Sequence, residues 1–241
     1  MTVTNSTFSG NSGGNGGAIR NDGGSVTVTY STFSSNSASV GGAISNNSGT
    51  LTVTNSTFSA NSASVGGAIS NNFNILTVTN STFSGNNAFA GAGGAINADS
   101  GPVTVVNSIL ANSTSGDNCS GTFTDGGHNI DDGTTCGFTG SGCATTTGTS
   151  FCNTNPLLDP AGLGNNGGPT QTIALEAGSP AINAGDETVC AAPPVNNLDQ
   201  RGVVRPGAGA TNCSIGAYEF NAVRCGDVNG DGVVKSGMRS S

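Results

Sequence analysis

The chain has 241 residues, 40 of them Gly, with no Trp, 5% aromatics and 34% hydrophobic residues. Gly-rich, Asn-rich sequence is poor material for long helices, which excludes a helical bundle, a coiled coil and a doubly wound α/β enzyme. Only 8% of residues are charged and the net charge is -8, with six scattered Lys and Arg, so nucleic acid and anionic membrane surfaces, which demand clustered cations, are excluded as partners.

Residues 1–112 are organised by repeats. Thr-Val-Thr-Asn-Ser-Thr-Phe-Ser-Gly-Asn starts at Thr2, close copies start at Thr27, Thr52 and Thr77, and a degraded copy starts at Thr104. The period is 25 residues, lengthened to 27 at the last step. Gly-Gly-Ala-Ile recurs at Gly16, Gly41, Gly66 and Gly93 with the same intervals. Leu51 to Asn55 alternates apolar and polar, the period of a strand. Phe58 marks a second short strand and Ala68-Ile69 a third, with Gly66-Gly67 and Asn71-Asn72 as turns. A single repeat has too little apolar area to fold alone, so the copies must stack. Val28, Val53 and Val78 then form one column, Phe33, Phe58 and Phe83 another, and Ile19, Ile44 and Ile69 a third. This predicts an all-β, single-stranded parallel β-helix of three strands per turn, right-handed by strand-crossover chirality.

Asn recurs in register too. Asn5, Asn55, Asn80 and Asn107 share one position, interrupted by Tyr30, and Asn11, Asn36, Asn61 and Asn86 share another. Both columns are expected to form amide ladders, each side chain bonded to its copies above and below. A ladder position inside a coil cannot accept a glycan, so the Asn5-Ser6-Thr7 sequon and its copies read as structural.

The Gly-Gly-Ala-Ile blocks, with Phe8-x-x-Asn11, Phe33-x-x-Asn36, Phe58-x-x-Asn61 and Phe83-x-x-Asn86, resemble the paired motifs of chlamydial polymorphic outer membrane protein repeats. The resemblance covers about residues 1–112 and implies a bacterial right-handed β-helix surface protein.

Residues 113–155 read as an irregular Cys-, Gly-, Ser- and Thr-rich extension. All seven Cys lie from Cys119 onward, without the spacing of a zinc site. Pairing neighbours in sequence order predicts disulfides Cys119–Cys136, Cys143–Cys152 and Cys190–Cys213, leaving Cys225 over. Disulfides need an oxidising compartment, yet Met1 leads straight into Thr-Val-Thr-Asn without a leader-like stretch. The chain is therefore expected to begin inside a longer gene product.

Residues 156–220, with Asn155 just before them, carry Asn155-Pro156-Leu157-Leu158-Asp159-Pro160, Asn166-Gly167-Gly168-Pro169-Thr170-Gln171-Thr172, Gly178-Ser179-Pro180-Ala181-Ile182-Asn183-Ala184-Gly185-Asp186, Asp199-Gln200-Arg201-Gly202, Arg205-Pro206 and Cys213-Ser214-Ile215-Gly216-Ala217-Tyr218-Glu219-Phe220. In order, these blocks resemble the choice-of-anchor Q module of secreted bacterial β-helix proteins, which implies export and surface attachment. Physically the segment reads as a C-terminal cap, with Ile182, Ile215 and Phe220 over the open end of the solenoid core. Asp199, Arg201, Arg205 and Glu219 concentrate charge there, as structural ion pairs or as a carboxylate/arginine site, the first being favoured.

Residues 221–241 resemble a truncated dockerin tail. Asp227, Asn229, Asp231 and the Val233 carbonyl match ligand positions of a calcium loop, but Met238 stands where a bidentate carboxylate is needed. Weak or negligible calcium binding follows, and no other cofactor is required.

Three functions compete. The favoured one is a non-catalytic secreted or cell-surface β-helix protein, an adhesin, passenger or structural stalk. It would be extracellular or on the outer membrane, monomeric, and partnered by a host or cell-surface glycan or protein. A polysaccharide-binding or pectate-lyase-like protein is the second. Against it, the coils offer only Asp22 and Asp99, three coils and so about 14 Å apart, whereas a glycosidase pair needs about 5–9.5 Å. His128, the one histidine, sits alone in a Gly-rich stretch. The third is ice recognition by outward Thr rows at Thr2/Thr4, Thr27/Thr29, Thr52/Thr54 and Thr77/Thr79, weighed against the ordinary preference of Thr for exposed strands.

Overall fold

The computed structural model describes residues 1–221. Strands Thr2–Thr4, Ser25–Thr29, Thr50–Thr54 and Leu76–Thr79 pair in parallel, each with its equivalent one repeat on, and the column continues into the long strand Ile96–Val106. A second column holds Thr7–Ser9, Thr32–Ser34, Thr57–Ser59, Thr82–Ser84 and Ile109–Ala111. A third holds Ile19–Asn21, Ile44–Asn46 and Ile69–Asn71 and also joins Ile96–Val106. The result is an all-β parallel solenoid of about six turns.

Each of the first four turns has a further strand beyond the three expected. Ser12–Asn15, Ser37–Val40, Ser62–Val65 and Asn87–Ala92 form a fourth parallel column. Ala63 and Ala88 are its fully buried apolar side chains. A strand whose inward residue is a methyl group carries no bulky apolar signal, which is why the period-2 pattern missed it.

The register forces like onto like. Val28, Val53 and Val78 are fully buried in one column, and Ile44, Ile69 and Ile96 in another. The rings of Phe8, Phe33, Phe58 and Phe83 stack with centroids 4.8, 4.8 and 4.6 Å apart and interplanar angles of 5° or less. That separation is the inter-strand spacing itself, so backbone pairing and ring stacking are satisfied together. Gly-Gly-Ala-Ile also has a physical reading. Gly41 has φ +64°, which a side chain disfavours, while a Cβ on Gly42 would run into the Gly67 carbonyl of the next coil. Ala43 and Ile44 then turn into the core.

Stacking does not stop at residue 112. Cys119–Asp125 pairs with Ile96–Val106, and Ile130–Asp131 joins Ile109–Ala111 to Thr145–Phe151. What changes is the outer face. Ile109 occupies the register position of Thr82, followed by Ile130 and Phe151. These outward apolar side chains build a second core with Leu175, Ala181, Ile182, Ile215 and Phe220. Ile182, Ile215 and Phe220 therefore cover the flank of the last coils, where apolar residues replace Thr, and not the open end of the coil core. The segment also contains the one-turn helix Glu187–Ala191. Disulfides join Cys119–Cys136, Cys143–Cys152 and Cys190–Cys213, the pairs that sequence order suggests. Among the described residues no helix is long and apolar enough to cross a membrane.

Candidate functional site

The two asparagine columns do different work. Asn11, Asn36, Asn61 and Asn86 form a ladder: each Nδ2 donates to the next Oδ1 at 2.9–3.0 Å, and each backbone N–H donates to the same oxygen. The second Nδ2 proton goes to a phenylalanine carbonyl one coil back, as Asn61 does to Phe33. Asn5, Asn55, Asn80 and Asn107 make no such ladder. With Tyr30 they occupy the left-handed turn position, φ 45–52°, which Asn tolerates better than other side chains. That turn aims the side chain out of the coil and onto the C-terminal segment. Tyr30 Oη donates to the Pro194 carbonyl (3.2 Å), Asn55 to Leu198 (2.9 Å), Asn80 to the Cys190 sulfur (3.3 Å) and Asn107 to Asp186 (3.1 Å). Asn5, one coil earlier, is exposed. A periodic Asn column gives the repeat but not the direction of the side chain, so the sequence left these two cases alike. A third column, Asn21–Asn46–Asn71, was missed; its amides are linked at 2.7 and 2.6 Å inside the coil. The same 25-residue interval was available to find it.

The charged cluster of the C-terminal segment is partnered chiefly within that segment. Asp199 is buried and pairs with Arg201 at 2.6 Å. Arg201 in turn lies over the Tyr218 ring, 3.7 Å from its centroid. Arg205 and Glu219 are both fully buried and 3.8 Å apart. Arg205 donates to the carbonyls of Leu198, Ser214 and Gly216. Glu219 accepts from the Gly207 and Ser214 backbone N–H groups and the Ser214 hydroxyl. Burial pushes the Arg205 guanidinium down and the Glu219 carboxyl up, each opposed by the charge of its partner. Beside them Gln200 donates to the hydroxyls of Thr32 and Thr170 and accepts from Thr57 at 2.6 Å. Gln200 and Thr170 thus help seat the segment on the coils, beside the contacts made by Tyr30, Asn55, Asn80 and Asn107.

On the coils, Asp22 and Asp99 lie three turns apart in one row, with Asn47 and Asn72 between them. The Arg20 guanidinium and the Asn47 amide hold the Asp22 carboxyl below the usual carboxylate range. His128 is engaged through Nδ1 with the Ala184 carbonyl at 2.7 Å. Among the described residues no group of three or more His, Cys, Asp or Glu is arranged to hold a metal ion. Asp227, Asn229, Asp231 and Val233, the calcium positions expected from sequence, lie outside the described residues, as does Cys225.

The Thr rows are not the flat exposed lattice that ice recognition requires. Thr29 and Thr54 are buried, Thr27, Thr52, Thr77 and Thr79, flanked by the strands of neighbouring coils, are half-buried, and Thr2 and Thr4 are exposed.

The Chlamydia polymorphic membrane protein (Chlamydia_PMP) repeat model matches residues 5–22, which span one Phe-x-x-Asn and one Gly-Gly-Ala-Ile block. No curated protein and no solved structure matches the chain.

Proposed function

We propose that this chain is a non-catalytic bacterial surface protein whose solenoid acts as an adhesive or structural stalk. The observation that carries this reading is the charge network of the C-terminal segment. Asp199, Arg201, Arg205 and Glu219 spend their hydrogen bonds on one another, on backbone groups and on the Ser214 hydroxyl, and Arg205 adds one bond to Asn55 of the coils. Buried ion networks of this kind perturb pKa values without taking part in chemistry. The repeat match at residues 5–22 supports a place on the bacterial surface, and three disulfides suit an oxidising compartment. The protein works without a cofactor, as a monomer, and meets a glycan or protein at the cell surface.

The test is antibody labelling of intact native cells, with antibodies raised against folded residues 1–221. The expected result is labelling without permeabilisation. Labelling only after permeabilisation sinks the reading.

A further inference from the structure

The turn that follows each Gly-Gly-Ala-Ile strand is built from small or polar residues in three coils: Asp22-Gly23-Gly24-Ser25, Asn47-Ser48-Gly49-Thr50 and Asp99-Ser100-Gly101-Pro102. The remaining one, Asn72-Phe73-Asn74-Ile75, carries two apolar side chains in the open. Phe73 is 66% exposed and Ile75 49% exposed. Neither supports the core, which already holds its own Phe column. The turns stack closely: a Cβ on Gly101 would run into the Asn74 backbone, and this register sets Ser100 beside Phe73.

Along the same edge runs a row of pre-oriented polar groups. Asn72 Nδ2 donates to Asn47 Oδ1 at 2.8 Å, Asn47 Nδ2 donates to Asp22 Oδ1 at 3.2 Å, and the Ser70 hydroxyl donates to Asn72 Oδ1. Both amides are half-buried and keep spare donor and acceptor capacity. At the far end the next coil is shorter. Ala98 pairs with Gly121 and Val103 with Phe123, so the Asp99 turn overhangs Thr122 alone. Under it lies a recess of about 280 Å³ lined by Asp99, Ser100, Gly101, Thr122 and Thr124, close to the lower size of small-ligand sites.

We propose that this edge binds a neutral glycan, with one sugar laid on the Phe73 ring and the neighbouring hydroxyls met by Asn47, Asn72 and Asp99. An aromatic face takes the C–H surface of a sugar, while planar amides and a carboxylate take its hydroxyls. Amides already held by their neighbours lose little freedom on binding. Acidic glycans are disfavoured. The net charge is -8, Asp22 and Asp99 flank the row, and the Arg20 guanidinium beside it is held by Asp22 at 2.8 Å.

This inference rests on the reading of the chain as a non-catalytic surface protein, and one experiment separates the two. The full chain is applied to an array of neutral and acidic oligosaccharides that includes chito- and cello-oligosaccharides, and the strongest binder is titrated by calorimetry. A neutral oligosaccharide is expected to bind, with affinity lowered about tenfold or more by Phe73→Ala and unchanged by Phe89→Ala, an equally exposed ring on another strand column. Binding of acidic glycans alone, no binding at all, or equal loss in both variants overturns the site; a protein ligand at this edge would appear as no glycan binding. Chromatography of the titrated sugar gives the second readout. Cleavage of a bound neutral oligosaccharide leaves the site standing and sinks the non-catalytic reading.

Discussion

Arg205 and Asn55 meet across 150 residues of sequence, the guanidinium Nη2 lying 3.4 Å from the asparagine Oδ1. The fully buried charge of the C-terminal segment thereby reaches a left-handed turn of the coils. Asn55 returns a bond from its Nδ2 to Leu198, whose carbonyl also accepts from Arg205. Docking and charge burial are one structure at this point.

Arg205→Met is accordingly expected to cost about 3–5 kcal/mol, because it strands Glu219 as a buried carboxylate. Glu219→Leu is expected to cost a similar amount by stranding the guanidinium. The double variant should lose clearly less than the sum. Denaturant unfolding of the four proteins measures this as a double-mutant cycle, and strict additivity would refute a coupled pair.

The amide ladder makes a graded prediction. Asn61 sits mid-ladder, accepting from the Asn36 backbone and side chain and donating to Phe33 and Asn86. Asn61→Ala leaves several buried polar groups without partners and is expected to cost about 3 kcal/mol or more, at about 1–3 kcal/mol each. Asn11→Ala, at the exposed start of the ladder, should cost about 1 kcal/mol or less. Equal losses at the two sites, read by thermal and denaturant unfolding, would contradict the ladder.

Asp125 supplies the pH dependence. Half-burial raises its pKa, but donors from Thr139, Ser150, Gly127 and Asn129 outweigh that, and the net shift is downward. A lowered folded pKa means stability that is present above the unfolded value of about 3.9 and is lost as pH falls through the folded value. Asp125→Asn should flatten the acid limb of the stability profile. It should also cost about 1 kcal/mol at neutral pH, by turning an amide donor toward other donors. An unchanged acid limb in the variant would count against this account.

The sequence was most legible where side-chain volume repeats. Val28, Phe58 and Ile69 announced their columns because each recurs at a fixed interval with a bulky apolar group. The fourth strand column was hidden because Ala63 stands where a bulky residue would have marked it. The Asn55 column was visible as a repeat but misread, because direction depends on a backbone twist that identity does not encode. Least legible was the seat of the C-terminal segment. Gln200 meets Thr32 across 168 residues, and Thr32 looks in sequence like any exposed strand threonine.

Tyr30 has a consequence of its own. A solenoid flank is a ruler whose marks are all alike, so a segment lying along it has no inherent zero. Shifted by one coil, the C-terminal segment would still find Asn and Thr at most positions. Tyr30 is the one odd mark in its column, and its longer reach to the carbonyls of Pro194 and Val195 is matched by no Asn. Ile109 is the corresponding mark at the other end, apolar where the preceding coils carry Thr. Together the two residues act as a vernier, selecting one alignment of the segment among several that the repeats alone would leave nearly degenerate.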